Sequence, residues 1–304
     1  MVTFAQGSRS GLAYGVQADF DTAATTFKRL PIKTHSLDLT KERLQGNDIQ
    51  PDRQSRIDIH GNRSVGGSVE IDLRKGDYDD FLESAFLSTF NVSNEITIGT
   101  TPKFLTIEDR MEDINQYRLF TGMTVSTASF SIAPNQMVET TFEMVGKDAS
   151  ISGTGQTVTA ASTNQPFNSF GGDIREGGVG TGDIVNLITS INFSITNSFA
   201  PTFVVGSAAT PALEYGRATI EGTMSVYAQD AVFINKFINE TESSIQVTVN
   251  DPSGTNAYTF LFPRIKFNGA SIPLANEQSR MIELPFVALF DDTEGTTLKL
   301  TRTA

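Results

Sequence analysis

Two stretches of the chain, about half its length apart, alternate apolar and polar residues as a half-buried β-strand does. Residues 65–73 read VGGSVEIDL and place Val69 and Ile71 on one face, with acidic and small polar residues on the other. Residues 220–228 read IEGTMSVYA and repeat the alternation around Met224. Because every second side chain shares a face of a strand, both stretches predict strands with one side against a core.

Each predicted strand is followed by residues with a helical pattern. Residues 77–86 and 230–239 both begin with Asp, a residue favoured at helix N-caps. The apolar positions then recur three and four residues apart: Tyr78, Phe81, Leu82, Ala85 and Phe86 in the first segment, and Phe233, Ile234, Phe237 and Ile238 in the second. We expect two amphipathic helices that each bury one apolar face against a sheet.

The matching order of these features indicates an internal repeat. The similarity continues at residues 129–136 (SFSIAPNQ) and 271–278 (SIPLANEQ), although the two halves align only with gaps. Between them, residues 150–169 are small, polar and nearly uncharged, as in a linker or an exposed hairpin. We therefore predict a mainly β (α+β) fold with two tandem β-sandwich or barrel domains, residues 1–160 and 161–304, each flanked by one α-helix.

Two long polar stretches follow the first predicted strand of each half. Residues 45–56 come after the strand at residues 35–39, and residues 197–216 come after the strand at residues 191–195. Polar connections of this length are uncommon in compact domains, and those that occur are usually functional. We expect both stretches to be exposed loops that take part in binding.

Composition excludes several classes of protein. The chain has 304 residues, a formal charge of −12 and no cysteine. The lack of cysteine rules out disulfides, thiol catalysis and zinc sites built on thiolates, and the acidic balance argues against a surface that grips phosphates. No apolar run reaches the roughly 18 residues of a membrane-spanning helix, and the N-terminal residues lack the pattern of a secretory signal. We expect cytoplasmic synthesis without export and no membrane insertion.

The chain carries no convincing pattern of catalytic residues. His35 opens a predicted strand and His60 lies at a predicted turn, so we interpret both as structural. The glycine-rich residues 177–182 lack the lysine of a phosphate-binding loop, and the acidic groups at residues 77–80 and 108–113 are typical of solvated faces. We predict no enzyme activity and no catalytic, cofactor-binding or metal-binding residues. A hydrolase that acts through paired carboxylates stays open as an alternative.

Four segments of the first half resemble the tail tube protein (major tail protein) of long, non-contractile-tailed bacteriophages. They read GVQADFDTAATTFKRLPI, HSLDLTKERLQGNDIQPDRQ, GNRSVGGSVEIDLRKGDYDDFLESAF and SIAPNQMVETTFEMVGKD. The resemblance implies a β-sandwich or barrel flanked by a helix, and a subunit that self-assembles into rings. The rings stack into a hollow tail tube through which viral DNA passes into the host. A chain with two tube domains implies trimeric rings of pseudo-hexameric symmetry.

The resemblance also implies roles for particular residues. The two polar stretches become candidates for ring stacking, namely Gln45, Asn47, Asp48, Pro51, Arg53, Phe199 and Phe203. Carboxylates on the polar sides of strands become candidates for the lining of the tube, because an anionic channel does not hold DNA phosphates: Glu70, Asp72, Glu139, Glu143 and Glu283. The alternative that these carboxylates face outer solvent or pair with a neighbouring domain stays open.

The implied partners are further copies of the chain, a tape-measure protein, and tail-tip and tail-terminator proteins. Double-stranded DNA passes through without specific binding, no cofactor is needed, and the protein resides in the virion after synthesis in the host cytoplasm. A second interpretation fits the same β-rich sequence. A virion decoration or adhesin protein would use a β-sandwich to bind a ligand on the host surface.

Overall fold

The computed structural model describes residues 4–46, 49, 51–52, 54, 56–179, 182–185, 187–274 and 279–303. Helices in these residues are a short 3-10 turn and two α-helices: Gly7–Arg9, α1 (Asp79–Phe86) and α2 (Val232–Ile238). The strands up to the end of β11 are β1 (Ser10–Val16), β2 (Phe27–Leu30), β3 (Thr34–His35), β4 (Asp38–Gln45), β5 (Asp58–Asp72), β6 (Glu95–Thr97), β7 (Leu105–Met111), β8 (Gln116–Ile132), β9 (Glu139–Gly146), β10 (Asp148–Ser152) and β11 (Val158–Thr159). The remaining strands are β12 (Asn168–Glu176), β13 (Asp183–Ile184), β14 (Ile188–Thr196), β15 (Ala200–Thr202), β16 (Ala212–Glu214), β17 (Thr219–Tyr227), β18 (Ser243–Asn250), β19 (Ala257–Phe267), β20 (Met281–Ala288) and β21 (Lys299–Arg302).

The prediction of a mainly β fold is confirmed, because strands hold most of the ordered backbone and form curled sheets. In the first half, neighbouring strands run in the order β4–β5–β9–β8–β7–β1–β2, with β10 also paired to β8. In the second half, the order is β14–β17–β20–β19–β18–β12–β13, with β21 also paired to β19. All of these pairings are antiparallel. α1 follows β5, and α2 follows β17.

Among the described residues, two strand pairings join the two halves: β8 with β14, and the short β6 with β21. The last part of β8 pairs with β9 on one side and with β14 on the other, from Thr127 opposite Thr196 to Ile132 opposite Ile191. At the centre of this junction Phe130 lies opposite Phe193, and their rings stack with centroids 4.8 Å apart. The hydrophobic core therefore runs without interruption from one half to the other.

The predicted apolar stripe of α1 is confirmed in full. All five of its predicted residues are at most 1% exposed, and Phe81 packs against the rings of Tyr14 and Phe142 at 5.0 and 5.4 Å. The same prediction for α2 is wrong, since none of its residues is buried. Phe233 contacts Phe267 of β19, but Phe237 and Ile238 face away from the sheet and are 36% and 66% exposed.

Asp77 does not cap α1, although the sequence places an N-cap there. The N-cap is Tyr78, without a side-chain hydrogen bond, and the Asp77 carboxylate is buried one residue earlier. It accepts hydrogen bonds from the backbone N–H and hydroxyl of Ser162 and pairs with Lys28 at 2.8 Å. Burial opposes ionisation, yet these partners outweigh it and hold the pKa of Asp77 below its usual value. Asp230 is not the N-cap of α2 either, since that position is Ala231, although its carboxylate accepts the N–H of Val232 at 2.9 Å.

The polar stretch at residues 150–169 is not a free linker. Part of it forms β10, and β11 pairs in parallel with β2. Near its end, the Phe167 N–H donates to the Leu73 carbonyl at 2.7 Å and its carbonyl accepts from the Val138 N–H at 3.0 Å. The side chain of Phe167 is fully buried. Polar composition predicted exposure here, but the first half of the molecule supplies partners for the backbone, so the stretch lies against it as a strap.

The predicted solvated face at residues 108–113 is also wrong for its first two acids. Glu108 and Asp109 lie on β7 and are almost fully buried. Glu108 pairs with Arg110, while Asp109 lies 2.8 Å from Arg118 and 3.6 Å from His35. Burial raises the pKa of Asp109, but hydrogen bonds from His35 and Arg118 outweigh burial and lower it. His35 is thus structural as predicted, whereas His60 lies within β5 and not at a turn.

Candidate functional site

The clearest candidate surface is the side of the sheet that faces away from the core. On β5 the core-facing residues Val69 and Ile71 are buried, so Glu70 and Asp72 point to the opposite side. The register of β5 against β9 places Asp72 opposite Glu139 and Ser68 opposite Glu143. These carboxylates therefore share one face of the sheet.

The same face continues into the second half across the junction of β8 and β14. Ser129 lies opposite Ser194 there, and Ser131 opposite Asn192, on the side away from the core. Beyond the junction, β17 and β20 add two further carboxylates. We call this surface the acidic face and define it by Glu70, Asp72, Glu139, Glu143, Glu221 and Glu283.

All five carboxylates that the sequence singled out lie on this face, and the sequence reasoning missed the sixth. Glu221 alternates with the buried residues Ile220 and Met224 on β17 in the same way that Glu70 alternates with its buried neighbours on β5. The alternation in residues 220–228 carried the signal for Glu221.

Negative charge dominates the electrostatics of the acidic face. Lys33 pairs with Glu139 and lies 3.5 Å from Asp72, and the hydrogen bond to Glu139 raises the pKa of Lys33. The other four carboxylates make no ion pair with any described residue. Between the strands at the junction lies an open depression of about 640 Å³, lined by serine, threonine and asparagine side chains as well as Glu139 and Glu221. This surface repels polyanions and offers hydroxyl and amide groups to water.

The acidic face does not have the form of a catalytic or metal site. Its carboxylates are spread along several strands, and the two that lie directly opposite each other, Asp72 and Glu139, converge on the ammonium group of Lys33. Across the part of the chain that the structure describes, no group of three His, Asp or Glu side chains converges as metal ligands do. No helix in that part is long and apolar enough to cross a membrane.

The first predicted stacking loop is the tip of a long hairpin arm formed by β4 and β5. Pairing extends to Gln45 opposite Asp58, so the polar stretch is strand at its start and turn only near Pro51, which is exposed. Every residue of β4 is exposed except half-buried Leu39. Three predicted stacking residues fall outside the described residues: Asn47, Asp48 and Arg53.

The second predicted loop contains a small hairpin of β15 and β16. Its residue Phe199 was predicted to be available for stacking, but it is buried, with its ring 5.7 Å from that of Tyr215. Phe203 is 36% exposed near the turn. The backbone N–H of Arg63 on the arm donates to the Ala208 carbonyl of this loop at 2.8 Å. The structure thus brings the two predicted loops together at the base of the arm.

Comparison with known proteins bears on what these surfaces are for. No curated protein matches this chain in sequence. The family model described as phage tail tube protein matches residues 7–288, which is nearly the whole chain. A mainly β chain with curled sheets, an acidic sheet face and a protruding arm thus belongs to the phage tail tube protein family.

Proposed function

We propose that three copies of this chain close into a ring of six similar units, and that stacked rings form the hollow tail tube through which viral DNA passes into the host. In this proposal residues 1–160 and 161–304 are two tube domains of one chain. Membership of the tail tube family makes the protein a structural component of the virion tail. The observation that supports the ring is the in-chain junction between β8 and β14.

The junction supports a ring because it is heterologous, meaning that it joins different edges of two similar units. The first half contributes the β8 edge, and the second contributes the edge of β14, the first strand of its own sheet order. The seven strands of each main order correspond position by position, from β4 with β14 to β2 with β13. A heterologous contact that repeats around an axis closes into a ring, and closure hides sheet edges that otherwise invite aggregation.

The acidic face is proposed to line the channel. It lies on the side of the sheet away from the core and crosses the junction without a break, so a closed ring carries it all the way around. Cationic linings bind duplex DNA by releasing counterions, with affinity rising for each phosphate contacted. An anionic lining avoids that binding, which suits passage without specific contact.

The hairpin arm is proposed to join one ring to the next, together with the adjoining loop at residues 197–216. The arm exposes the apolar side chains of Leu44, Ile57 and Ile59, which are about half exposed in the single chain. Exposed apolar groups clustered on a protrusion are typical of contact surfaces. Deletion of residues 47–53 should leave folded rings that do not elongate, and tubes of normal length from that deletion would refute the role of the arm.

Other partners follow from the tail tube role and belong to the same proposal. They are a tape-measure protein, tail-tip and tail-terminator proteins, and the DNA in transit. The protein is proposed to be non-enzymatic and to be made in the host cytoplasm before it enters the virion.

Native mass spectrometry and negative-stain microscopy of the purified chain test the proposal. We expect species of three chains, or multiples of three, that appear as rings with an axial channel. Compact monomers under all assembly conditions, or rings of six chains, would contradict it.

The lining is tested separately by replacing Glu70, Glu143 and Glu283 with Lys. The resulting rings should retain duplex DNA at low salt and release it at high salt, as phosphate contacts require. A control variant with Lys at Asp21, Asp183 and Asp292, which are exposed acids outside the acidic face and outside the proposed stacking segments, changes the net charge equally. It should not retain DNA inside the ring. Equal retention by both variants would place the acidic face outside the channel.

A further inference from the structure

We propose that neighbouring subunits join by pairing the edge of β3 and β4 of one copy with the segment that continues β19 in the next, Lys266 to Ile272. This inference rests on the proposed ring and adds the residues that make it close. The in-chain junction of β8 with β14 serves as its template, because each half of the chain contains a counterpart of both strands.

The first counterpart is the edge formed by β3 and β4, which corresponds to β14 because of the way each pairs with its neighbouring strand. β3 and β4 lie against β5 with His35 opposite Val69, and β14 lies against β17 with Phe193 opposite Gly222. Val69 in turn lies opposite Phe142 of β9, and Gly222 opposite Phe286 of β20. Val69 and Gly222 correspond because each lies ten residues before the start of the following helix, at Asp79 and Val232, so His35 holds the position of Phe193. In the same register, Leu37 matches Ile195 and Asp38 matches Thr196, the residues at the junction.

The second counterpart is the end of β19, which corresponds to the last part of β8 because β19 pairs with β20 as β8 pairs with β9. Ala128 of β8 lies opposite Phe142, and Phe267 of β19 lies opposite Phe286. Beyond β19 the chain continues along β20, because the Asn268 N–H donates to the Pro285 carbonyl. Two further hydrogen bonds join Ser271 and Glu283. Phe267 therefore holds the position of Ala128, and Asn268 that of Ser129.

Both edges lack the partner that their counterparts have. Within the described residues, β3 and β4 pair with β5, and Lys266 and Phe267 of β19 pair with β20. Neither stretch pairs with a strand on its other side, since the pairing of β19 with β18 ends at Ile265 opposite Ser243. An unpaired edge of this kind exposes N–H and C=O groups that a further strand satisfies.

Translating the in-chain register gives specific contacts between copies. Ala128 opposite Ile195 becomes Phe267 opposite Leu37, an apolar pair on the core side. Ser129 opposite Ser194 becomes Asn268 opposite Ser36, a polar pair on the side of the acidic face.

The third translated pair carries opposite charges. Thr127 opposite Thr196 becomes Lys266 opposite Asp38. Asp38 lies 3.3 Å from Arg118, and Lys266 lies 2.6 Å from Glu240, within the chain. The junction therefore aligns four side chains of alternating charge, and this arrangement favours the proposed register over one shifted by a residue.

Disulfide trapping tests the register directly. Directly opposite residues in antiparallel strands have Cβ atoms about 4.5–5.5 Å apart, close enough for a disulfide to form with small adjustments, and the chain contains no cysteine of its own. Under oxidation, the S36C/N268C variant should form covalent dimers and trimers on non-reducing gels. The matched in-chain variant S129C/S194C should form a disulfide within one chain. The register control T40C/N268C, displaced by four residues, should form little or none.

The outcomes separate this junction from the ring itself. Rings in which S36C/N268C links copies support both. Rings without that link, while S129C/S194C closes normally, overturn the proposed edges and leave the ring standing. Absence of both rings and links overturns the proposed edges and the proposed ring.

Charge reversal supplies a second readout: D38K or K266D alone should lower the assembled fraction about tenfold, and D38K/K266D should restore much of it. Equal loss in the single and double variants would count against the pair.

Discussion

The two helices occupy corresponding places in the two halves but differ sharply in burial. α1 packs against β8 and also contacts β6 and β14, and its inward residues are at most 1% exposed. α2 contacts β19 and its Lys236 pairs with Glu176 of β12, but its end carries the exposed side chains of Phe237 and Ile238. A left-handed residue follows each helix, Leu87 at φ 51° and Glu240 at φ 53°, so the two ends have the same local geometry.

The difference shows that residues of the second half of the chain cover α1. The side chain of Asn197, which follows β14, donates to the Ala85 carbonyl at 2.8 Å and to the Val125 carbonyl at 3.3 Å. α2 has no such cover from the described residues. In the proposed ring, the β3–β4 edge of the next copy supplies the cover, with Leu39 at the position of Asn197.

The largest effect is expected from truncating the aromatic core beneath α1. Phe81→Ala removes a fully buried ring that contacts Tyr14 and Phe142, so it should lower the free energy of unfolding by about 3–5 kcal/mol. Phe233→Ala, at the half-buried base of α2, should cost about 1 kcal/mol. Urea unfolding of the unassembled chain measures both. Similar losses would remove the contrast between the helices.

A smaller effect is expected at the link between the halves. Asn197→Ala leaves the buried Ala85 carbonyl without its side-chain donor, and this should cost about 1–3 kcal/mol. The control is Asn235→Ala on α2, an exposed position where the change should stay within about 0.5 kcal/mol. If the Asn197 variant unfolds at the same urea concentration as the wild type, the second half does not stabilise α1.

Asp77 and Asp230 provide a comparison that depends on pH. The folded pKa of Asp77 is lowered, so its contribution is present above its unfolded pKa of about 3.9 and is lost as the pH falls through the folded value. Asp77→Asn should therefore cost about 1–2 kcal/mol at pH 7, and the gap from the wild type should narrow in acid. Urea unfolding between pH 7 and pH 3 measures this. Asp230→Asn, at an exposed position, should show no such pH dependence.

The smallest effect on stability is expected at the end of α2. Ile238→Asn should change the free energy of unfolding by less than about 0.5 kcal/mol, because the side chain is already 66% exposed. The same change should lower the fraction of chains in rings, as seen by native mass spectrometry. Normal assembly would show that no second copy covers this end of α2.

Local patterns predicted the elements whose burial is decided by their own sequence. In β5, β9 and α1 the apolar residues recur with the period of the element, and each period matches the observed burial. The five predicted carboxylates of the acidic face follow from the same alternation. The sequence could not show that they form one surface, because the pairing of β8 with β14 joins residues about sixty positions apart in the chain.

The errors arose where a distant partner changes the environment of a residue. Glu108 and Asp109 have the composition of a surface, but Arg110 and Arg118 pair with them in the interior, and His35 lies beside Asp109. β8 begins at Gln116, and its polar first half pairs with β7 and β10. In α2 the apolar residues do recur with helical spacing, but the described part of the single chain does not supply a surface that buries them.

Electron cryomicroscopy of the assembled protein tests the central claim most directly. The map should show three chains per ring, six similar sheets around the axis, and the side chains of Glu70, Glu143 and Glu283 pointing into an open channel. A ring in which each chain contributes a single sheet unit, or one whose channel is lined by the opposite surface, would contradict the account.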